Sequence, residues 1–426
     1  MFEPMRQKVY RLLRWSERYT KTDMVYLASG NFWMLLGRAV GMIAGMGLTV
    51  LFANLLSQHD FGTYKYILAT AGIIGAISLS ALPGAQYRAI GKGLSEVIPR
   101  TVHLGVLWSL PGSIVALAVA GYYFFMGNAL LGSAIVVVAL AHPMLSAYGV
   151  TKILFSATGD FKRATYFNMV RTLVPVAIIA ATILLSGKIL FIIIAYFFSN
   201  ALVNFITYRV SLQKLGIQGK NPDPEAVQGT MRYAKHLSFL GIFQLVIGQL
   251  DTFLLWHFTG PVAVATYAIA LGPAKEIRSL GEQATTLLFP KLSKKSEENA
   301  ARSALSRSRQ IFFIYLAVAT LYALIAPYLF AIFFPKYLVA VLPSQVLAFA
   351  LVFQSRSLIG LFLFTHGEIL HQYRTIIPPL IIRAVLLLAL IPPFGLWGVV
   401  VAILLSELAS ALVVMWTYRN FNKRLL

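Results

Sequence analysis

Cysteine is absent from this sequence of 426 residues, which excludes disulfide bonds, thiolate metal ligands and a cysteine nucleophile. Charged residues are scarce, at 12% against about 25% in soluble domains, and acidic residues are outnumbered by basic ones, 15 to 36. Apolar residues make up 58% of the chain, and the mean hydropathy is +0.74. These values exclude an ordinary water-soluble enzyme and predict an all-α polytopic membrane protein.

Apolar runs bounded by charges or turn residues predict about twelve transmembrane helices. They cover 30–56, 62–87, 101–126, 130–157, 164–186, 189–211, 235–258, 262–289, 308–333, 338–364, 375–392 and 395–417. The predicted outer loops are only a few residues long, so they leave no extramembrane loop to hold the acceptor of a membrane transferase. We therefore expect a protein that is not an enzyme, with no catalytic residues.

Basic residues are distributed unevenly between the two sides of the predicted membrane. With the N-terminus inside, twenty-six of the 36 lie in inner loops and tails, and only Lys188 and Lys336 lie in outer loops. Such an excess marks the cytoplasmic side. Both termini are therefore predicted to be cytoplasmic, and most of the net charge of +21 is explained without nucleic acid as a partner.

The two halves of the chain share weak similarities at a nearly constant spacing. Thr63-Tyr64 matches Thr266-Tyr267, and Arg171–Pro175 matches Arg374–Pro378, both at an offset of 203. Six spans per half predict a parallel repeat, with two six-helix bundles around a central cavity. Chance matches between apolar segments are the alternative. The predicted domains are a cytoplasmic basic interfacial segment (1–29), an N-terminal bundle (30–211), a cytoplasmic linker (212–234), a C-terminal bundle (235–417) and a cytoplasmic tail (418–426).

Twelve ionisable residues fall inside the predicted spans. The basic ones are Arg38, Lys65, Lys152, Arg171, Lys275, Arg278, Arg356 and Arg383; the acidic ones are Asp251, Glu276, Glu282 and Glu407. A charge within a membrane is costly unless a partner, water or a ligand compensates it. The acids can neutralise at most half of the basic groups, so the excess predicts an anionic ligand.

Depth along each helix separates the basic residues into two groups. Four lie within reach of lipid headgroups and are predicted to be interfacial: Lys65, Lys152, Arg171 and Arg356. The other four are the predicted substrate-binding residues of the cavity: Arg38, Lys275, Arg278 and Arg383. Planar guanidinium groups bind phosphate in a bidentate manner, so a diphosphate suits this set.

The acids Asp251, Glu282 and Glu407 are predicted to be charge partners of these basic residues or ion-coupling groups. The alternative is that the same pairs serve only to hold helices together. The seven histidines lack the spacing of metal ligands, and no glycine-rich phosphate loop of the Walker type occurs. We therefore predict no metal and no cofactor.

Several segments resemble a known family of membrane proteins. They are Phe52–Tyr64, the helix that follows it to Arg88–Gly91, and Asp251–Gly260 through Tyr267–Ala270. The chain resembles the polysaccharide-biosynthesis flippases (Wzx-type, for O-antigen or exopolysaccharide repeat units) of the multidrug/oligosaccharidyl-lipid/polysaccharide exporter superfamily. That resemblance implies a V-shaped pair of bundles that exports undecaprenyl-diphosphate-linked oligosaccharides across the bacterial inner membrane.

The same resemblance implies that the partners are the lipid-linked oligosaccharide, membrane lipids and other membrane proteins of polysaccharide assembly. Three alternatives stay open. One is a multidrug-type antiporter coupled to a cation. Another is a lipid II flippase, although those relatives usually have fourteen spans. The third is a membrane scaffold that transports nothing, which leaves the excess of positive charge unexplained.

Overall fold

The computed structural model describes residues 24–219, 222–293, 297–366 and 369–422, with side chains except at 24–31, 152, 240, 283–293, 369–370 and 422. Within these ranges the chain is helical and forms no strand. The predicted interfacial segment 1–29 and the end of the predicted tail lie largely outside the described residues. The α-helices are α1 (Met24–Leu55), α2 (Gln58–Ala76), α3 (Leu82–Gly91), α4 (Ile98–Phe125), α5 (Ala129–Ala147), α6 (Thr151–Ala157), α7 (Phe161–Leu185), α8 (Ile189–Leu215), α9 (Pro224–Thr259), α10 (Pro261–Ser293), α11 (Glu297–Phe333), α12 (Val341–Phe349), α13 (Ser357–His366) and α14 (Ile369–Asn422).

All twelve predicted spans coincide with helical segments, which confirms the all-α, multi-pass architecture. Eight helical stretches of the described chain are long and apolar enough to cross a membrane on their own, and the bent α9 raises the number to nine. Large apolar side chains point outward from these helices; for example, Phe125 is 87% exposed and Leu185 is 88% exposed. Such a surface suits contact with lipid rather than water.

Several predicted spans are bent, subdivided or joined within one helical element. The second consists of α2 and α3, the fourth is divided by a 3-10 turn at Tyr148–Val150, and the tenth contains 3-10 segments at Pro335–Ala340 and Ala350–Arg356. The eleventh and twelfth spans form the single bent element α14. Its bend lies at Gly395, where φ is +52° and ψ is −123°, a conformation that glycine adopts without steric cost.

The helices pack into two compact units. Unit 1 comprises residues up to Leu48 together with Ile74–Ile242, and unit 2 comprises Thr49–Ile73 together with Phe243–Leu426. The segment Thr49–Ile73 therefore packs with unit 2 although it precedes the predicted linker. That linker, 212–234, is itself helical at both ends, because α8 continues to Leu215 and α9 begins at Pro224.

The interior of unit 1 is apolar where α3, α6 and the first half of α9 meet. Its cluster includes Leu82, Ile98, Leu154 and Met231, each at most 6% exposed. Small residues bring α4 and α5 together, and a Cβ at Gly112 would lie 2.8 Å from Nε2 of His142. The interior of unit 1 is therefore closely packed both in this cluster and between α4 and α5.

Unit 2 holds the end of α1 and the start of α2 against its own helices. The Nδ2 group of Asn54 donates to the carbonyl oxygen of Phe333 at 2.9 Å, and Nζ of Lys336 donates to the carbonyl oxygen of Asn54 at 2.7 Å. The ring of Tyr66 stacks on Trp256, with centroids 4.3 Å apart. A Cβ at Gly62 would overlap the carbonyl of Pro261, so this approach requires glycine.

Candidate functional site

Helix α10 presents a polar stripe within unit 2. Tyr267, Lys275, Arg278 and Glu282 fall within about 80° of one another around the helix axis, at 3.6 residues per turn. The stripe extends over about 22 Å at 1.5 Å per residue. Side chains from α2, α9 and α14 and from the 3-10 segment Ala350–Arg356 meet it, and they supply most of the predicted site residues.

Asp251 lies at the first of the two charged clusters along this stripe. Its Oδ2 accepts a hydrogen bond from the hydroxyl of Tyr267 at 2.7 Å and pairs with Nη2 of Arg383 at 3.2 Å. Its Oδ1 accepts the backbone N–H of Thr252 at 2.6 Å. The Asp251 side chain is 5% exposed and that of Arg383 is 24% exposed. Asp251 is therefore a buried carboxylate with one cationic partner and neutral donors from Tyr267 and Thr252.

Glu407 joins two arginines in the second cluster. Its Oε1 pairs with Nη1 of Arg278 at 3.3 Å, and its Oε2 pairs with Nη2 of Arg356 at 2.6 Å. Gln354 donates to the same Oε2 at 3.0 Å, and Glu282 pairs with Nε of Arg278 at 2.9 Å. The cluster therefore contains two arginines and two carboxylates, and its formal charge is balanced.

These pairings limit what the two predicted cavity arginines of unit 2 can do for a ligand. Arg278 and Arg383 each already hold a carboxylate, so an anion would have to share or displace it. Two features leave room for sharing. The Arg278 side chain is 41% exposed, and Nε of Arg383 is buried without a hydrogen-bond partner within the described part of the chain. An unsatisfied charged donor of this kind is uncommon and costly.

Lys65 and Lys275 are placed differently. The two ammonium groups lie close enough for their charges to repel each other. Nζ of Lys65 lies 5.2 Å from the ring centroid of Phe61. Neither lysine has a carboxylate within ion-pair distance among the residues that the structure describes. Two neighbouring cations that lack an anionic partner attract an anion to this part of unit 2.

The remaining predicted residues lie elsewhere. Arg38 is a half-buried residue of α1 in unit 1. Arg171, also in unit 1, donates from Nε to Oδ1 of Asn204 at 2.7 Å and from Nη1 to the carbonyl of Gly149 at 3.3 Å, so its contacts are uncharged oxygens. The side chain of Lys152 lies outside the described residues. The functional roles assigned to all of these residues stay predictions.

Two residues predicted to be interfacial take part in the interactions described above. Arg356 is 17% exposed and pairs with Glu407, and the charge of Lys65 is repelled by that of Lys275. Their predicted place at the membrane interface stays a prediction. Tyr267 was noted only as part of the repeat and of the resemblance, and Gln354 was not singled out. The position of Tyr267 on the same helical face as Arg278, eleven residues away, is the signal that could have indicated it.

Comparison with known proteins identifies the family. The model of the family described as polysaccharide biosynthesis protein matches residues 27–296, which is more than half of the chain. The chain therefore belongs to the polysaccharide biosynthesis protein family, and the resemblance seen in the sequence is confirmed at that level. A comparison with curated protein sequences finds no match.

Solved structures show the same fold at low sequence identity. An inward-facing multidrug resistance MATE family transporter of the MOP superfamily matches with a TM-score of 0.62 and 14% identity, over 90% of this chain and 95% of the other. A MOP superfamily transporter from Pyrococcus furiosus, whose binding pocket of reverse polarity was taken to suggest a different function, matches with a TM-score of 0.58, 15% identity and coverages of 93% and 95%. A mutant of a Vibrio cholerae MATE transporter matches with a TM-score of 0.57, 11% identity and coverages of 94% and 97%. The chain therefore has the multi-pass fold of MOP superfamily transporters.

Proposed function

We propose that this protein is a flippase for a lipid-linked oligosaccharide. It translocates an undecaprenyl-diphosphate-linked repeat unit from the cytoplasmic to the periplasmic leaflet of the bacterial inner membrane by alternating access. Membership of the polysaccharide biosynthesis family and the transporter fold support this function. The observation that carries it is the pair Lys65 and Lys275, because two cations that repel each other, with no carboxylate at ion-pair distance among the described residues, suit the diphosphate of such a substrate.

The neighbouring arginines give the diphosphate further contacts of moderate strength. In the described part of the chain, Lys65 and Lys275 supply positive charge without a carboxylate at ion-pair distance, whereas Arg278 and Arg383 contribute through exchange with Glu282 and Asp251. A phosphate oxygen that accepts from Nε of Arg383 would satisfy a buried N–H that has no partner among the described residues. Exchange of this kind permits release, because each carboxylate returns to its arginine when the substrate leaves.

The membrane potential can drive the outward step. Movement of one charge through 100 mV is worth about 2.3 kcal/mol, so a headgroup with two negative charges gains roughly 4 to 5 kcal/mol from an inside-negative potential of that size. The flippase therefore needs no nucleotide. In the cell, we propose, it passes its product to other membrane proteins of polysaccharide assembly.

Reconstitution into vesicles tests the proposed substrate directly. A fluorescent oligosaccharide on a polyprenyl diphosphate is supplied to proteoliposomes, and the fraction that a membrane-impermeant quencher cannot reach is followed over time. Lys65→Gln with Lys275→Gln is expected to reduce flipping about 10-fold or more, because the counter-charge of the diphosphate is lost. The matched control is Lys188→Gln with Lys214→Gln, which removes the same charge outside the site and is expected to flip at the rate of the wild type. A wild-type rate in the site variant, or an equal rate with no protein, would refute the proposal.

We also propose that both termini and the 212–234 segment face the cytoplasm of the inner membrane. The excess of basic residues in the corresponding loops supports this orientation. Alkaline phosphatase fused after Gly219 is expected to be inactive, since the enzyme folds only in the periplasm, whereas a fusion in the outer loop after Gly127 is expected to be active. The opposite pattern would invert the topology.

A further inference from the structure

A second concentration of positive charge lies in unit 1 and shares no residue with the proposed transport site. It surrounds a cavity of about 520 Å³ between α3 and the first half of α9. The lining residues are Ala85, Arg88, Ala89, Lys92, Leu94, Ala226, Gly229, Thr230, Arg232, Tyr233 and His236. These residues belong to the end of unit 1 that the distribution of basic residues predicts to be cytoplasmic.

The spacing of the basic residues directs them into the same cavity from two helices. Arg88 and Lys92 are four residues apart on α3 and its C-terminal end, and Arg232 and His236 are four residues apart on α9, so each pair lies on one helical face. The guanidinium carbon of Arg88 lies 4.6 Å from the ring centroid of Tyr233, which holds that side chain against the cavity wall. Two helices therefore present their basic faces to one space.

These cations have no carboxylate partner among the described residues. The cavity lining contains neither aspartate nor glutamate, and in the described part of the chain no carboxylate lies within ion-pair distance of Arg88, Lys92 or Arg232. Two acids close in sequence to the cavity residues accept backbone N–H groups instead. Asp223 accepts the N–H groups of Glu225 and Ala226 at the start of α9, and Glu96 accepts the N–H of Gly219. The positive charge of the cavity is therefore available to a ligand.

The floor of the cavity is apolar. Leu94 and Tyr233 expose apolar surface in its lining, at 38% and 36% exposed, next to the buried Ala85 and Ala89 of α3. A free phosphate ion gains nothing from such a floor, whereas the glycerol backbone and first methylene groups of a phospholipid bury apolar surface on it. The combination of a cationic rim and an apolar floor at the predicted membrane boundary is the pattern of a lipid headgroup site.

We propose that this cavity binds the phosphate of an anionic phospholipid of the cytoplasmic leaflet. Arg88, Lys92 and Arg232 bind the phosphate oxygens, and Leu94 and Tyr233 contact the adjoining glycerol and acyl chains. The site is separate from Lys65 and Lys275, so it binds lipid whatever the transported substrate is. Because α9 passes from unit 1 into unit 2, a lipid bound to its first half is suited to stabilising one position of this helix.

Binding of short-chain lipids to the purified full-length protein tests this inference. Dioctanoyl phosphatidylglycerol, dioctanoyl phosphatidylcholine and inorganic phosphate are titrated separately, and the bound species are counted by native mass spectrometry. We expect saturable binding of phosphatidylglycerol in preference to phosphatidylcholine. The variant Arg88→Gln, Lys92→Gln and Arg232→Gln is expected to bind phosphatidylglycerol about 100-fold more weakly.

Two further variants distinguish specific lipid binding in the cavity from nonspecific electrostatic attraction of the lipid to the protein. Arg100→Gln, Arg209→Gln and Arg309→Gln remove the same charge at exposed positions outside the cavity and are expected to leave the affinity unchanged within about twofold. Gly229→Trp keeps every charge but fills the cavity, since a Cβ at Gly229 meets open space, and is expected to abolish binding. An equal loss in the distant triple variant, retention in Gly229→Trp, or binding of inorganic phosphate as tight as that of the lipid would each overturn the proposal.

Discussion

The two units treat polar groups within their predicted spans in different ways. In unit 1 the buried contacts join neutral groups, such as Ser78 with His142 at 2.7 Å, and Arg171 binds the uncharged oxygens of Asn204 and Gly149. In unit 2 the carboxylates of Asp251 and Glu407 form ion pairs with arginines. Neutral contacts hold helices together, whereas balanced charge clusters can also exchange partners with a charged ligand. Unit 2 therefore has the chemistry that an anionic substrate requires.

Among these residues, substitution of Glu407 is expected to cause the largest loss of stability. Glu407→Ala leaves Arg278 with one exposed partner and Arg356 with none of its carboxylate contacts. Breaking a buried ion pair by removing one partner costs about 3 to 5 kcal/mol. The thermal midpoint of the detergent-purified protein should therefore fall markedly in Glu407→Ala. Glu407→Gln, which keeps the shape and a hydrogen-bond acceptor, should fall less. Equal midpoints for wild type and Glu407→Ala would show that the cluster does not stabilise unit 2.

Asp251 provides the next largest effect and separates stability from transport. Asp251→Asn keeps an oxygen that accepts from Tyr267 but loses the charge that binds Arg383, and hydrogen bonds to charged groups contribute about 1.5 to 3 kcal/mol. We expect transport to be impaired more than folding. A double-mutant cycle with Arg383→Gln measures the coupling. Full transport by Asp251→Asn across a range of pH would show that neither pairing nor ion coupling at this residue matters.

Much of this architecture is predictable because hydropathy alone specifies where a chain enters lipid. The twelve apolar runs all lie on helices, and ionisable residues within them were readily identified as unusual. The ion pairs were harder to predict from the sequence, because their members are far apart along the chain. Arg383 and Asp251 are 132 residues apart, and Arg278 and Glu407 are 129 residues apart. A single sequence indicates which residues share one helix face but not which helices are neighbours.

Depth along a helix does not indicate side-chain contacts, for the same reason. The distance of Lys65 from its helix end predicts an interfacial position, but it does not indicate that the charge of Lys275 acts on Lys65. The contact of Arg356 with Glu407 was equally hidden, because Arg356 ends a 3-10 segment within the tenth span, where a continuous helix was expected. The packing of Thr49–Ile73 with unit 2 was equally hidden, since the repeat predicts only the contiguous halves.

Substitution of Ser78 tests the contribution of a neutral contact in unit 1. Its expected effect on stability is smaller than that of the ion pairs in unit 2. Ser78→Ala removes the hydrogen bond to Nε2 of His142 and leaves a buried ring nitrogen without that partner, which costs about 1 to 2 kcal/mol. The thermal midpoint should fall modestly, and flipping in proteoliposomes should change little. Ser146→Ala is the control, because its hydroxyl bonds only to the carbonyl of Pro143 within the same helix. A loss of transport without a loss of stability in Ser78→Ala would place a functional group in unit 1.

Removal of the Glu282 carboxylate should have the smallest effect on stability. It tests whether Arg278 binds the substrate or only pairs with carboxylates of unit 2. The pair that Glu282 forms with Arg278 is an i,i+4 contact, and the Glu282 side chain is 61% exposed, so screening by solvent leaves at most about 0.5 kcal/mol. Glu282→Ala should therefore lower the thermal midpoint of the wild type only slightly while it frees Nε of Arg278. If Arg278 takes part in diphosphate binding, the freed group should lower the apparent KM for the lipid-linked substrate. An unchanged KM would confine Arg278 to its structural pair with Glu407, and the two lysines and Arg383 would then supply the cationic contacts to substrate in unit 2.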